Sequence, residues 1–372
     1  MRRWTPIVWV AIGLLVAYWP IAILVLGVDP YDIYPWGWKS ELPAMDTTDN
    51  SRLLIAAAAK QQEIDLVMIG SSPANSYTPE QIQQRFPGIR RSWNMSYPGA
   101  HPADRALTID MFLKHSHAKR FIIWIDWSYV LPADMARNEF PSYMYDSSYP
   151  NDLKMVNPPA VTAIWGLLHG AGPFKDSQAL ARKNGAFEDS AYKAFQTVDA
   201  MRDLELQIRA NRSQVGGPWH SSCGRYPALN TQLIPELREF SRRHVAVDLV
   251  FPAYSAAAYS SGMMPIGGTT FPAQLNLRRC VVEASALIPG VAVWAPDADS
   301  ELISDLANYE DTVHLYRKDA LIRILERIGN PAFRIDSTNV ESYLDHLHTT
   351  VVEYNVQNSN LSKENSDGSR AF

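Results

Sequence analysis

Apolar positions along the chain form one long run near the N-terminus and several short runs further on. The short runs are continuous rather than alternating, which is typical of strands that are buried on both faces of a parallel sheet. Helical patterns separate them, so the sequence predicts an α/β fold with three α/β/α layers around a mainly parallel sheet. The predicted strands are Asp65–Ile69, the residues around Arg91–Asn94, Phe121–Ile125, Val245–Phe251 and Val291–Trp294.

Local signals predict helices between these strands. Thr78-Pro79-Glu80-Gln81 is a capping box with proline at the first helical position, so a helix begins there. Further helices are predicted at Ala103–Lys114, at about Pro235–Arg243, at Asp319–Ile328 and from Asn339 to about Val352.

The long apolar run, Trp4–Val28, contains no charged residue. As a helix it would span about 37 Å, which exceeds the roughly 30 Å of a bilayer's hydrocarbon. Arginines at positions 2 and 3 precede the run and Asp29 follows it, a bias that puts the N-terminus in the cytoplasm. We therefore expect one transmembrane helix in the inner (cytoplasmic) membrane and a periplasmic or otherwise extracytoplasmic body. A cleaved signal peptide is the alternative, although no clear small-x-small cleavage site follows the run.

Composition shifts divide the remaining chain. The segment from about 132 to 220 is polar and rich in Asp, Asn, Ser and Pro, which indicates an insertion rather than sheet. The expected organisation is an anchor at 1–28, a stalk and lead-in helix at 29–62, an α/β domain at 63–330 containing that insertion, a C-terminal helical extension at 331–356 and a disordered tail at 357–372.

Charge and cysteine content indicate which ligands and which kinds of metal site the protein is not expected to have. The 372 residues carry a net charge of −5, and a chain without a basic excess is not expected to bind nucleic acid. Cys223 and Cys280 are too few for a cysteine-built zinc site. Two alternatives stay open for them, one disulfide in an oxidising compartment or two buried free thiols. No phosphate loop or metal-binding motif is present, so no metal or cofactor is predicted.

Three segments carry residues suited to acyl-transfer chemistry. Gly70-Ser71-Ser72 leaves the first strand, the segment Asn94–Ala100 contains a glycine turn after the second, and Asp311-Thr312-Val313-His314 precedes the last core helix. A serine on a tight turn can act as a nucleophile, and backbone N–H groups at a glycine can bind an oxyanion. A carboxylate three residues before a histidine can orient its imidazole as a general base. Taken alone, each of the first two segments is more often an ordinary turn, and one Asp-x-x-His is common by chance.

Taken together and in this order, the three segments resemble the SGNH, or GDSL-like, hydrolase superfamily over about residues 65–328. The resemblance places Ser72 at the nucleophile position, with Ser71 where the commoner motif has aspartate. It assigns Gly99 to the oxyanion position of the second block, and Asp311 and His314 to the last block.

The third block departs from the superfamily pattern. Members usually carry Gly-x-Asn after the third strand, whereas this chain reads Trp124-Ile125-Asp126-Trp127-Ser128. No asparagine is available there as an oxyanion donor. Asp126 and Ser128, with Asn94 and Ser71, therefore join Gly99 as the predicted oxyanion or substrate-binding residues.

The layout is similar to that of anchored members that act on envelope polymers, such as the teichoic-acid D-alanyl transfer proteins and the acetylation proteins of exopolysaccharide systems. That resemblance implies an O-acyltransferase or esterase that modifies a cell-surface polysaccharide, beside a membrane-bound O-acyltransferase partner. The missing third-block asparagine keeps a second expectation open, a non-catalytic scaffold that binds a polymer or such a partner, since losing one oxyanion donor costs about 3 kcal/mol of barrier stabilisation.

Overall fold

The computed structural model describes residues 5–29, 64–132, 217–261 and 270–368, together with isolated residues between these ranges. The chain divides into two compact units. The first combines Met1–Gln61 with Glu139–Lys183, and the second combines Gln62–Asn138 with Asn184–Phe372. Most of the predicted insertion at 132–220 and of the predicted stalk and lead-in helix at 29–62 lies outside the described residues.

The apolar run of the first unit forms a helix, α1 (Thr5–Val28), with Pro20 inside it. The hydroxyl of Tyr18 donates to the carbonyl of Leu153 over 3.3 Å. A search of the described residues for a helix long and apolar enough to cross a bilayer finds none. The membrane anchor therefore stays a prediction of the sequence.

The second unit is built on a six-stranded sheet with the order β2-β1-β3-β4-β5-β6. The first five strands pair in parallel and β6 pairs antiparallel with β5. This confirms the predicted α/β class and the mainly parallel sheet. The strands are β1 (Leu66–Ile69), β2 (Ser92–Asn94), β3 (Arg120–Trp124), β4 (Ala246–Val250), β5 (Val291–Trp294) and β6 (Arg334–Ile335).

The helices that connect these strands cover the sheet. Parallel crossovers are right-handed, so connections that run in opposite directions along the sheet place their helices on opposite faces. The helix Pro79–Arg85 contacts Lys318–Arg327, and Ile234–Arg242 contacts both Pro102–His115 and Phe271–Ser285. The described helices of this unit are α2 (Ser72–Asn75), α3 (Pro79–Arg85), α4 (Pro102–His115), α5 (Ile234–Arg242), α6 (Ala256–Ser261), α7 (Phe271–Ser285), α8 (Ser300–Ser304), α9 (Lys318–Arg327) and α10 (Val340–Gly368).

Local capping explains where α3 begins. The Thr78 backbone N–H donates to the Gln81 side chain over 2.9 Å, and the Gln81 N–H donates to the Thr78 hydroxyl over 3.3 Å. This reciprocal pair is the capping box that the sequence predicts. It satisfies two backbone donors at the helix start, so the boundary does not depend on distant contacts.

The C-terminal helix is longer than the sequence predicts. Residues 331–356, predicted as a C-terminal helical extension, contribute β6 to the sheet and the first part of α10 to the same compact unit. The tail at 357–372 was predicted to be disordered, but α10 continues to Gly368, while 369–372 lie outside the described residues. No proline or glycine occurs between Val340 and Gly368 to end the helix earlier.

Two further elements escape the sequence analysis. The α7 helix is buried along most of its length, including the polar Gln274, Asn276 and Arg278, so it lacks the polar face on which helical periodicity depends. The two residues of β6 are too short a run to stand out. Both elements depend on tertiary contacts with the rest of the unit, which a local sequence pattern does not show.

Candidate active site

The carboxyl ends of the five parallel strands lie at one edge of the sheet. The chain leaves β1 toward β2 on one side and later crosses to β3 on the other, so the strand order reverses between β1 and β3. Ligands of doubly wound sheets bind at such a point. The predicted serine turn follows β1 and Asp126 follows β3, which places these two segments on either side of the reversal.

A glycine is required where the chain turns out of β1. A Cβ added to Gly70 would lie 2.6 Å from Cβ of Ala74 and 3.0 Å from Cβ of Trp124. Any side chain would therefore collide with the start of α2 and with β3. The close approach fixes Ser71 and Ser72 directly over the end of the sheet.

Ser71 and Ser72 have different surroundings. Ser72 is the first residue of α2 and is partly exposed, whereas Ser71 is the buried N-cap residue. The hydroxyl of Ser71 donates to Oδ2 of Asp126. Because its proton is committed to this carboxylate, Ser71 is not placed to donate to a substrate.

Among the described residues, the Asn94 side chain bonds to the protein backbone alone. Its Nδ2 donates to the carbonyls of Ala74 over 2.7 Å and Tyr77 over 2.8 Å, and its Oδ1 accepts from the N–H of Ser96 over 3.0 Å. These bonds tie the end of β2 to the helix that carries Ser72. Asn94 therefore positions the serine turn, rather than presenting its amide to a substrate as predicted.

Gly99 lies in the turn that follows β2 and has a φ of 67°. This left-handed conformation favours glycine. The residue is exposed, so its backbone is accessible from solvent. This geometry is compatible with the predicted oxyanion role.

Asp126 accepts hydrogen bonds on both carboxylate oxygens. Oδ2 accepts from Ser71 and from Nη2 of Arg105, and Oδ1 accepts from the backbone N–H of Ser128 over 3.0 Å and from the Ser128 hydroxyl. The side chains of Arg105 and Asp126 are each 1% exposed. A buried carboxylate that only accepts cannot act as an oxyanion donor, so Asp126 does not replace the missing asparagine.

Arg105 is a site residue that sequence reasoning missed. It lies on α4, where an arginine is ordinarily taken for a solvated position. Burial opposes its charge, but the carboxylate of Asp126 and the hydrogen bond to it raise the pKa of Arg105 overall. Its one sequence signal is that it shares a helix face with the apolar residues Ile109 and Phe112, four and seven positions later.

Asp311 and His314 form a pair. Oδ2 of Asp311 lies 2.7 Å from Nδ1 of His314, and Oδ1 accepts from the N–H groups of Val313 and His314 over 2.6 and 2.7 Å. One carboxylate therefore shapes the turn and orients the ring. Three-residue spacing is sufficient for both contacts, which is why the sequence could indicate them.

The pair alters the ionisation of both groups. Burial would raise the pKa of Asp311, but its hydrogen bond to His314 and the charge of His314 lower it. Burial would lower the pKa of His314, but the hydrogen bond to Asp311 and the charges of Asp311 and Glu310 raise it. The carboxylate thus makes the imidazole a stronger base.

The His314 loop is fixed to the same edge of the sheet as the serine turn. Ser255, which follows β4, donates from its N–H and its hydroxyl to the carbonyl of Thr312 over 3.2 and 2.7 Å. The Tyr309 hydroxyl donates to the carbonyl of Ala253 over 3.0 Å. In the part of the chain that the structure describes, Nε2 of His314 is buried without a hydrogen-bond partner.

The structure describes no hydrogen bond between Ser72 and His314 among these residues. Catalytic hydrogen bonds are often long in a site without substrate. The predicted contact between the two side chains therefore stays a prediction. The fold places both residues at the same edge of the sheet, since Ser72 follows β1 and the His314 loop is bonded to residues that follow β4.

Cys223 and Cys280 form a disulfide. This decides between the two alternatives that the sequence left open. Among the described residues, one group of three potential metal ligands comprises these cysteines and Glu283. Because both sulfur atoms are engaged in the disulfide, the group offers no thiolate to a metal ion.

No protein-family model matches the chain, and no curated protein matches it either. The resemblance to the SGNH superfamily therefore depends on the segments that carry Ser72, Gly99, Asp311 and His314.

Proposed function

We propose that the protein is a serine O-acyltransferase or esterase of the SGNH type that acts on a cell-envelope polysaccharide. The observation that carries this proposal is the Asp311–His314 pair, in which Nε2 of His314 has no hydrogen-bond partner among the described residues. The loop that carries this pair is attached to the same sheet edge at which Ser72 follows β1. A serine, an imidazole and a carboxylate at one sheet edge are the components of acyl transfer.

In the proposed reaction, the Ser72 hydroxyl attacks the carbonyl carbon of an acyl ester while Nε2 of His314 takes its proton. The N–H groups of Ser72 and Gly99 stabilise the oxyanion that forms. The protonated imidazole then gives its proton to the leaving alcohol, which leaves an acyl-serine. A sugar hydroxyl or water repeats the sequence in reverse and regenerates Ser72.

We also propose that α1 anchors the protein in the inner membrane, with the α/β unit outside the cytoplasm and a membrane-bound O-acyltransferase as partner. The charge-free run with arginines before it and Asp29 after it supports this orientation. The Cys223–Cys280 disulfide adds support, because disulfides persist in oxidising compartments. A C-terminal reporter enzyme that is active only outside the cytoplasm tests the orientation; activity of a cytoplasmic reporter instead would contradict it.

A non-catalytic scaffold is the second candidate. The hydrogen-bonding state of the predicted oxyanion residues favours it, since Ser71 and Ser128 donate to Asp126 and the Asn94 amide is engaged by the backbone. Fewer donors are then available to a substrate than in a superfamily site with its third-block asparagine. Such a protein would keep the fold and bind a polymer without acylation.

Labelling by a fluorophosphonate probe separates the two candidates. We expect the full-length protein to be labelled at Ser72, and Ser72→Ala to lose labelling. Ser76→Ala is the matched control, because Ser76 lies at the other end of the same short helix and has no proposed role. Well-folded protein that does not react with the probe would favour the scaffold.

A further inference from the structure

Arg105 reaches the exits of β2 and β3 with a single side chain. Its Nη1 donates to the carbonyl of Trp124 over 2.9 Å, and its Nη2 donates to the carbonyl of Ala100 over 2.7 Å and to the Ser128 hydroxyl over 3.1 Å. Ala100 directly follows Gly99, whose N–H is the proposed oxyanion donor. The guanidinium thus fixes the glycine turn relative to the strand beside it.

Asp126 extends this connection to the exit of β1. Its Oδ2 accepts from both Arg105 and the hydroxyl of Ser71, the residue before the proposed nucleophile. We name Ser71, Arg105, Asp126 and Ser128 the loop clamp. All four side chains are buried, so their hydrogen bonds are shielded from competition by water.

The clamp also changes what Ser71 does for α2. A serine at an N-cap position usually accepts a hydrogen bond from the N–H two or three residues later. The Ser71 side chain makes no such bond in the described structure, because its hydroxyl is turned toward Asp126. Of the two positions that such a cap would serve, Pro73 has no N–H and the N–H of Ala74 donates to the Ser71 carbonyl over 3.0 Å, so α2 begins without the side-chain bond.

A buried ion pair is not an efficient way to stabilise a fold, because desolvation offsets much of the attraction between the charges. Apolar residues of similar size often stabilise a protein as well or better. The pair supplies directional hydrogen bonds, because a planar guanidinium and a carboxylate with two acceptor oxygens hold several loops at defined angles. Sites that stabilise an oxyanion need donors held in place before the reaction.

We propose that Arg105 and Asp126 are positioning residues that hold the loops after β1, β2 and β3 so that the N–H groups of Ser72 and Gly99 face one point. This inference rests on the proposed function for its catalytic meaning. It assigns Ser71, Asp126 and Ser128 to the support of the oxyanion site rather than to contact with substrate.

Hydrogen exchange measured by mass spectrometry tests the positioning directly. We expect Asp126→Asn to increase exchange at least threefold in peptides covering 70–77 and 96–101. The matched control is Asp297→Asn, the same substitution in the other fully buried arginine–aspartate pair among the described residues, which should leave both peptides unchanged. Equal effects of the two variants, or no effect of Asp126→Asn, would overturn the proposal.

A milder variant keeps the test decisive if Asp126→Asn does not fold. Ser71→Ala retains the ion pair and removes only the link to β1, so exchange should increase in 70–77 and stay unchanged in 96–101. An increase in both peptides, or in neither, would show that the hydrogen bond from Ser71 does not position the serine turn.

Fluorophosphonate labelling supplies the catalytic readout. We expect the labelling rate of Asp126→Asn to fall at least tenfold and that of Asp297→Asn to stay within twofold of wild type. If the wild type is not labelled, the proposed function fails, and the exchange data still decide whether the clamp holds the loops. If the wild type is labelled and Asp126→Asn is labelled at the same rate, the positioning role is wrong while the proposed function stands.

Discussion

Two fully buried arginine–aspartate pairs lie in the described part of the α/β unit, and they serve different parts of it. Arg105 and Asp126 join the exits of three neighbouring strands through serine hydroxyls and backbone carbonyls. Arg278 and Asp297 join α7 and the exit of β5 to α10, whose Tyr343 donates its hydroxyl proton to Asp297 over 2.9 Å. The same pair of side chains supports loops in one place and helix packing in the other.

The partners of each pair show the difference. The distal pair, Arg278–Asp297, is surrounded by the rings of Phe251 and Tyr259, which are large groups that exclude water and fill the core. The proximal pair, Arg105–Asp126, bonds to small serines next to a partly exposed residue, Ser72. The Arg105 guanidinium also lies over the ring of Tyr129, 5.3 Å from its centroid, so both pairs have an aromatic neighbour and the serine partners are what distinguish the proximal pair. Four predictions test this comparison.

The largest expected effect is on stability at the distal pair. Asp297→Ala leaves Arg278 buried without its counter-charge, so we expect the free energy of unfolding to fall by about 3–5 kcal/mol. Urea denaturation measures it. The probe-labelling rate of the folded fraction should not change, and a loss of less than about 1 kcal/mol would mean that the tyrosine hydroxyls compensate the arginine.

The disulfide is expected to act on the same side of the molecule. Cys280 is two residues beyond Arg278 on α7, and the bridge spans a sequence separation of 57. Replacing both cysteines by serine should lower the free energy of unfolding by about 3–4 kcal/mol, mainly through the entropy of the unfolded chain. Thermal unfolding with and without reductant checks this. An unchanged melting temperature would contradict the prediction. A change in the probe-labelling rate would show that the region around the distal pair, where the disulfide lies, is coupled to the region around the proximal pair.

The third prediction concerns the pH dependence of labelling. The imidazole must be neutral to take the serine proton, so the rate should rise as pH increases through the pKa of His314, which is raised by Asp311. Asp311→Asn removes the largest cause that raises this pKa and leaves burial, which lowers it, together with the smaller effect of Glu310. The midpoint should therefore move to lower pH while the maximal rate falls. Asp126→Asn should reduce the rate without moving the midpoint. A midpoint that does not respond to Asp311→Asn would exclude His314 as the base.

The smallest effect is expected near the proximal pair. Burial, with a contribution from Asp110, raises the pKa of Glu236 to about 8. The folded state therefore retains this proton above the unfolded pKa, and stability should fall as pH rises from about 4.5 toward 8. Glu236→Gln should be more stable than wild type at pH 8, by about 1 kcal/mol, and equal to it at pH 4.

Glu239 on the same helix is the matched control for Glu236. Hydrogen bonds from Arg242 and Arg243 lower the pKa of Glu239 to about 2, so its contribution to stability is present above the unfolded pKa and is lost as pH falls. Glu239→Gln should therefore not gain stability at pH 8. Chemical denaturation at the two pH values distinguishes the variants, and a gain for both would point to net charge as the cause.

Features that depend on neighbours in sequence could be predicted. The continuous runs of β1, β3, β4 and β5 indicated buried strands, and the Thr78–Gln81 capping box indicated the start of α3. The Asp311–His314 contact belongs to the same class, because three residues of spacing bring both side chains onto one turn. In each case the interacting groups are within one turn or one strand, so tertiary contacts do not decide the outcome.

Features that join distant positions could not be predicted. Ser71 and Asp126 are 55 residues apart, Arg105 and Asp126 are 21 apart, and the cysteines are 57 apart. Sequence reasoning chose Ser71, Asn94, Asp126 and Ser128 as groups for a substrate, but the structure engages their side chains with the protein. A side chain's role depends on which donors and acceptors the fold brings within about 3 Å, and that proximity is set by strand order.

The sequence by itself therefore determined the class of the sheet, the start of α3 and the identity of the serine, histidine and aspartate candidates. Only the tertiary structure decided that Arg105 belongs to the site, that Cys223 and Cys280 are bridged and that α10 packs into the α/β unit. The physical reason is that hydropathy and capping act over a few residues. A buried charge such as that of Arg105 needs a partner of opposite charge, and here that partner, Asp126, comes from a strand exit 21 residues away.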